Sequence, residues 1–287
     1  MSKKAVQVLT IISFVLLICA AIFVLYLPLP DAEIKNAEKK TGQIRFEVIS
    51  EPTPTESEPP ISGTSETTTA EIKIDSNLLR KVDFDELQAI NPDAQRWVYI
   101  PDTIVDYYVM QEQTVGEGFY LTHDIYKAHY APGCILTMKV PMNLEDVHLI
   151  LYGHHMKNHD IAFGQLRDDY VTKEMADEHP YIYVYYKDRS EKWLVWTAVD
   201  GDQSDIVYET PLDRGSDRYQ DALDDISSKA LYQQVAAPDK WSKTLVLSTC
   251  RGKVAGSSER FYVVAVLEST YYYQTGKEVK GDYSDET

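Results

Sequence analysis

The chain has 287 residues, 28 basic against 45 acidic side chains and a formal net charge of -17. That length suits one domain with a full core plus a tether, and the acidity leaves no basic footprint for nucleic acid, so a nucleic-acid partner is not expected. Three cysteines, Cys19, Cys134 and Cys250, are too few for a disulfide framework, although a single Cys134 to Cys250 bridge stays open at this level.

The first thirty residues hold an uncharged apolar run from Ala5 to Leu27 behind Lys3 and Lys4, with Asp31 and Glu33 after it. At 1.5 Å per residue such a run spans a hydrocarbon core of about 30 Å. The flanking lysines leave the N-terminus in the cytoplasm and everything beyond residue 30 outside. A cleavable signal peptide has a shorter apolar core, and no small-x-small site closes the run before Pro28, so residues 1–30 read as a cytoplasmic stub and retained transmembrane anchor. The remaining chain carries a net charge of -19, which favours solubility.

Residues 31–71 read as an extracellular stalk, because Ser50 to Glu71, SEPTPTESEPPISGTSETTTAE, is almost wholly Ser, Thr, Pro and Glu and has too little apolar surface to offset its ordering entropy. Residues 72–287 form the expected folded domain. It opens with Ser76 as a cap-capable residue, and Leu78, Leu79, Val82, Leu87 and Ile90 predict a helix that Asn91-Pro92 ends. Eight short runs rich in Val, Ile, Tyr and Trp follow: RWVYI, DYYVMQ, CILTM, VHLILYG, YIYVYY, KWLVWTAV, TLVLST and RFYVVAVLE, separated by Pro, Gly, Asp and Asn. Eight such strands can close into a barrel, which removes exposed sheet edges. The fold class is therefore mainly β with helices. In the long insertion before TLVLST, Tyr219, Leu223, Ile226, Leu231 and Val235 recur at spacings that predict a helix across one mouth of the barrel.

Cys250 closes the strand TLVLSTC beside the polar residues RGK, a setting that suits a reactive thiol better than an inert buried one. The apolar strand LILYG breaks at Gly153 and delivers His154, an imidazole at a strand end able to meet a distant thiolate. His154, His155 and His159 also suggest a metal, but adjacent residues of a strand point to opposite faces and no second ligand pair accompanies them, so neither a metal nor a cofactor is expected. Arg260 opens the last long strand ten residues after Cys250, where a guanidinium can meet a substrate carbonyl or the oxyanion formed on attack; an ordinary surface ion pair with Glu259 or another acid is the plain alternative. Cys134, in APGCILTM, reads as a packed strand cysteine.

With LSTC ahead of a strand-opening Arg, YGHHM upstream, and YYVMQ, FYLTHDIY and FGQL between about Arg96 and Glu268, the chain resembles the sortases, membrane-anchored cysteine transpeptidases of Gram-positive bacteria. The Met after the histidine pair, the N-terminal helical extension and the helical insertion look like class B. The resemblance implies Cys250 as nucleophile, His154 as acid/base, Arg260 as carbonyl and oxyanion partner, and Thr249 as a residue lining the oxyanion site. It also implies a closed eight-stranded barrel, no cofactor, and as partners an exported protein with an Asn-Pro-x-Thr type sorting motif and an amine on a peptidoglycan precursor. Where some class B enzymes have an acid after the cysteine, proposed to orient the histidine, Arg251 stands here. A pilin-polymerising enzyme using a pilin lysine, a cysteine hydrolase, and a non-catalytic stalked β-domain remain as alternatives. The hydrophilic, acidic C-terminus KGDYSDET is unlike that of a wall-anchored adhesin.

Overall fold

The computed structural model describes residues 31–52, 74–116, 118–138, 147–155, 161–209, 212–251 and 257–281. The expected membrane anchor, residues 1–30, lies outside them, and no helix among the described residues is long and apolar enough to cross a membrane. Residues 38–287 form one compact unit.

The strands are β1 (Ile49–Ser50), β2 (Lys81–Val82), β3 (Ala94–Tyr99), β4 (Asp106–Gln111), β5 (Ile135–Thr137), β6 (His148–Tyr152), β7 (Tyr181–Tyr185), β8 (Arg189–Asp202), β9 (Thr244–Cys250), β10 (Glu259–Tyr272) and β11 (Lys277–Lys280). Eight of them, β3 to β10, coincide with the eight apolar runs of the sequence. They are ordered β10-β8-β7-β3-β4-β5-β6-β9, and β9 pairs back onto β10 to close the barrel. The barrel is mixed, because β4–β5 and β6–β9 are parallel and the other pairs antiparallel. β11 adds to the far end of β10, outside the ring.

The helices are α1 (Asp31–Val48), α2 (Ser76–Leu79), α3 (Phe84–Ile90), α4 (Leu166–Tyr170), α5 (Lys173–Glu178) and α6 (Asp217–Lys229). The single helix expected from Ser76 to Ile90 is two helices with β2 between them. Asp75, not Ser76, caps the first by accepting from the Asn77 amide at 2.9 Å, and Asp83 starts the second by accepting from the Glu86 amide at 3.0 Å. Val82, between them, pairs with Ile49 of β1.

The first part of the expected stalk also differs. Residues 31–48 are helical, Ile44 and Val48 are buried with Leu78, Phe84, Leu87 and the barrel residues Trp97, Tyr108 and Tyr185, and β1 pairs with β2. The apolar residues Ile44 and Val48, one helical turn apart, supply a face that the polar composition downstream does not have. Residues 53–73, the rest of the low-complexity stretch, lie outside the described residues.

Helix α6 carries Tyr219, Ala222, Leu223 and Ile226 on one buried stripe, while Leu231, beyond its end, is exposed. This stripe packs on Ile150, Trp196, Val246, Tyr262 and Val264. The alternate residues Leu149, Leu151, Leu245, Leu247, Val263 and Ala265 are buried too and point the other way, into the barrel. The helix therefore covers the outer wall of β8, β10, β9 and β6, where sequence spacing predicted that it would cross a mouth. Periodicity identifies a buried stripe without naming the surface that buries it.

Candidate active site

Strand register builds the site. In the parallel pair β6–β9, Tyr152 lies opposite Ser248, so two residues further on His154 comes level with Cys250. In the antiparallel pair β9–β10, Arg260 is the direct partner of Cys250. Neighbouring strands are about 4.8 Å apart, so imidazole, thiol and guanidinium leave three adjacent strand ends in one row. All three line a cleft of about 470 Å³ with Leu121, Leu136, Met138, Tyr152, Gln203 and Tyr208. Cys250 is half-buried, and both it and Cys134 are free thiols. The bridge left open by the sequence is thus not formed.

The Nε2–H of His154 donates to the backbone carbonyl of Leu121 at 2.8 Å. A carbonyl only accepts, so Nε2 keeps its proton in the neutral and cationic forms alike, and Nδ1 is the nitrogen free to gain or lose one. The segment 118–134 that presents this carbonyl is folded on itself: Cys134 N–H donates to Tyr120 O at 2.8 Å and Tyr130 N–H to Thr122 O at 2.8 Å. Gly133, at φ +61°, sits where a Cβ would lie 2.5 Å from the Leu121 carbonyl oxygen. No side-chain motif marks a backbone acceptor, which is why sequence reading missed Leu121; the Pro-Gly pair before Cys134 was its one visible trace.

Arg251, next to Cys250 in the chain, pairs at 3.3 Å with Asp200, and its backbone N–H donates to Glu259 O at 3.2 Å. Thr249 lines the cleft, but its buried hydroxyl donates at 2.8 Å to the carbonyl of Gly153. It thereby ties the turn before His154 to the strand of Cys250, with its proton engaged by the backbone. Beside it, Tyr208 and Ser248 share a hydroxyl hydrogen bond of 2.8 Å on the cleft wall.

Arg260 donates through Nη1 to the carbonyls of Ser257 at 2.6 Å and Glu259 at 3.0 Å, and through Nη2 to Oε1 of Gln203 at 3.1 Å. The plain alternative, an ion pair with Glu259 or another acid, is not among these hydrogen bonds, although Asp202 feels the Arg260 charge. Cys134 is remote in character: burial holds its thiol well above the ordinary range, and its Sγ–H donates to the carbonyl of His123 at 3.3 Å. Among the described residues no group of three or more His, Cys, Asp or Glu side chains is placed to hold a metal; His159 lies outside them.

A closed mixed barrel with cysteine, histidine and arginine at neighbouring strand ends defines a cysteine transpeptidase, a class that transfers acyl groups through a thioester. Residues 98–268, from within β3 into β10, match the Sortase domain family model. The chain belongs to the sortase family and, by its relatives, to class B. Sortase B of Staphylococcus aureus is 26% identical over 186 residues, 64% of this chain and 74% of that one. The Staphylococcus aureus sortase B-substrate complex superposes with a TM-score of 0.57 at 25% identity, covering 64% of this chain and 83% of that one. Sortase B from Bacillus anthracis shares the fold at 21% identity, with a TM-score of 0.61 and coverage of 83% and 99%.

Proposed function

We propose that this enzyme, held by residues 1–30 in the cytoplasmic membrane with its barrel outside, cleaves a sorting motif of exported proteins and joins the acyl fragment to an amine of a peptidoglycan precursor. The observation that carries the reading is the single row of His154, Cys250 and Arg260 in one cleft. The Cys250 thiolate attacks the scissile carbonyl, and the oxygen that becomes anionic meets the Arg260 guanidinium. His154 Nδ1–H gives its proton to the departing amine as the C–N bond breaks, leaving a thioester on Sγ. The incoming amine attacks that thioester, its proton passes to Nδ1, and the free thiolate returns.

A Staphylococcus aureus sortase B is known in a complex with a substrate; the partner proposed here, an exported chain bearing an Asn-Pro-x-Thr type motif, rests on the class B resemblance of the sequence. The test is a panel of sorting-motif peptides offered to residues 31–287 with triglycine or with a lysine-bearing pilin-type peptide, products being identified by mass spectrometry. A triglycine adduct supports wall anchoring; adducts only through the lysine side chain move the acceptor to a pilin, and hydrolysis with no adduct to either amine contradicts the transpeptidation assigned to this chain.

A further inference from the structure

We propose that Gln203 is the positioning residue of Arg260, a neutral acceptor that aims the guanidinium without neutralising it; this rests on the reading that Arg260 meets the reacting carbonyl. β8, β10 and β9 run side by side, and Gly201, Arg260 and Cys250 form one row across them. Gln203 follows the end of β8 by one residue. Its backbone N–H donates to Ser258 O at 2.8 Å, and its side-chain oxygen accepts from Arg260 Nη2 at 3.1 Å, so backbone and side chain both grip the segment that opens β10.

The turn that carries Gln203 is itself held from below. Asp205, buried, accepts from the Asp202 amide at 3.0 Å and the Tyr262 hydroxyl at 3.0 Å through one oxygen, and from Lys229 at the end of α6 at 2.8 Å through the other. The insertion helix thus reaches the active-site arginine through Lys229, Asp205 and the 202–205 turn. Gly201 is part of the same fit, since a Cβ there would collide with the Asp205 carboxylate and the Tyr262 ring.

The chemistry of the acceptors matters more than their number. Among the described residues, the three groups that hydrogen-bond Arg260 are two backbone carbonyls and one amide. Of the two acids of this turn, Asp205 is buried against Tyr262 and Lys229, and Asp202, whose carboxylate is engaged by the Ser204 amide at 3.0 Å and the Ser204 hydroxyl at 2.8 Å, feels the Arg260 charge without hydrogen-bonding it. A carboxylate in the place of the Gln203 amide would form a charge-assisted pair with the guanidinium and compete with the oxyanion for it. An amide orients the fork without adding a second carboxylate to the field that Asp202 already exerts on it, and leaves the guanidinium free to meet the reacting oxygen.

Gln203 is exposed, so its replacement leaves folding intact. The experiment compares single-turnover acylation of Cys250, read by intact mass with a peptide that the wild type cleaves, for Gln203→Ala, Gln203→Glu, Arg260→Ala and the two double variants. Misaligning a catalytic group costs up to about a hundredfold, and we expect about tenfold slower acylation at saturating peptide in Gln203→Ala with an unchanged melting temperature. Gln203→Glu is expected to be slower still, and neither change to slow Arg260→Ala further. The inference is overturned if both single variants acylate within about twofold of wild type, if Glu matches or exceeds Gln, or if the Gln203 effects persist undiminished in Arg260→Ala. If Arg260→Ala acylates as wild type does, the reading of Arg260 itself fails, a result separate from any of these.

Discussion

At the scale of single residues, the site depends on two backbone carbonyls that no motif announces. Thr249 donates its buried hydroxyl to Gly153 O, next to His154 in the chain. Thr249→Val keeps the shape and removes the donor, which leaves that carbonyl short of a partner at a cost of about 1–3 kcal/mol; a lower urea midpoint and slower acylation are expected, with Thr249→Ser restoring most of both. Gly133→Ala places a methyl group against the Leu121 carbonyl that holds His154, at a φ of +61°. Activity should fall at least about tenfold, and a variant that stays fully active would show that the Leu121 contact is dispensable. Cys250, His154 and Arg260 were legible because polar, reactive side chains at the ends of apolar runs stand out. Leu121 and Gly133 were not, because their contribution lies in a carbonyl and in an absent side chain.

At the scale of elements, the eight barrel strands were readable because each is a short β-branched and aromatic run between turn formers, whereas the placement of α6 was not. Its seat includes a buried polar knot: His148 Nε2–H donates to Val207 O at 2.8 Å, and its Nδ1 lies 2.7 Å from the Thr244 hydroxyl, which lies 2.8 Å from the Tyr219 hydroxyl of α6. Burial, the largest cause, pushes the His148 pKa down to about 4, while the bond to Val207 acts the other way. In the unfolded chain the ordinary value is about 6.5, so between these values the unfolded state takes up a proton that the fold refuses. Stability from this group is complete above about pH 6.5, declines as the pH falls, and levels off below about 4, with a slope of up to about 1.4 kcal/mol per pH unit. Urea unfolding at pH 7.5 and pH 5 should show that loss, and His148→Gln should flatten it.

At the scale of the whole molecule, residues 38–51 are part of the domain. Arg80, almost fully buried, makes a two-pronged contact with Asp106 at 3.0 and 2.9 Å, Arg45 of α1 approaches the same carboxylate at 3.4 Å, and Glu51 pairs with Arg80 at 2.9 Å. Together with Ile44 and Val48, these contacts fasten residues 38–51 to the barrel. A chain starting at residue 74 loses two buried aliphatic side chains at about 1.5–3 kcal/mol each. It should unfold at a clearly lower denaturant concentration than residues 31–287; equal midpoints would contradict this view of α1. The polar composition after Ser50 masks the different character of residues 38–51, because two apolar residues, Ile44 and Val48, are too few to form a sequence pattern. The acyl transfer proposed for this chain runs through a thioester on Cys250. The most direct test is intact mass spectrometry of residues 31–287 after rapid acid quench with motif peptides. A mass increase equal to the acyl fragment, located on Cys250 and absent from Cys250→Ala, is the predicted result. Turnover of a peptide by Cys250→Ala at the wild-type rate, or an adduct on any other residue, would contradict it.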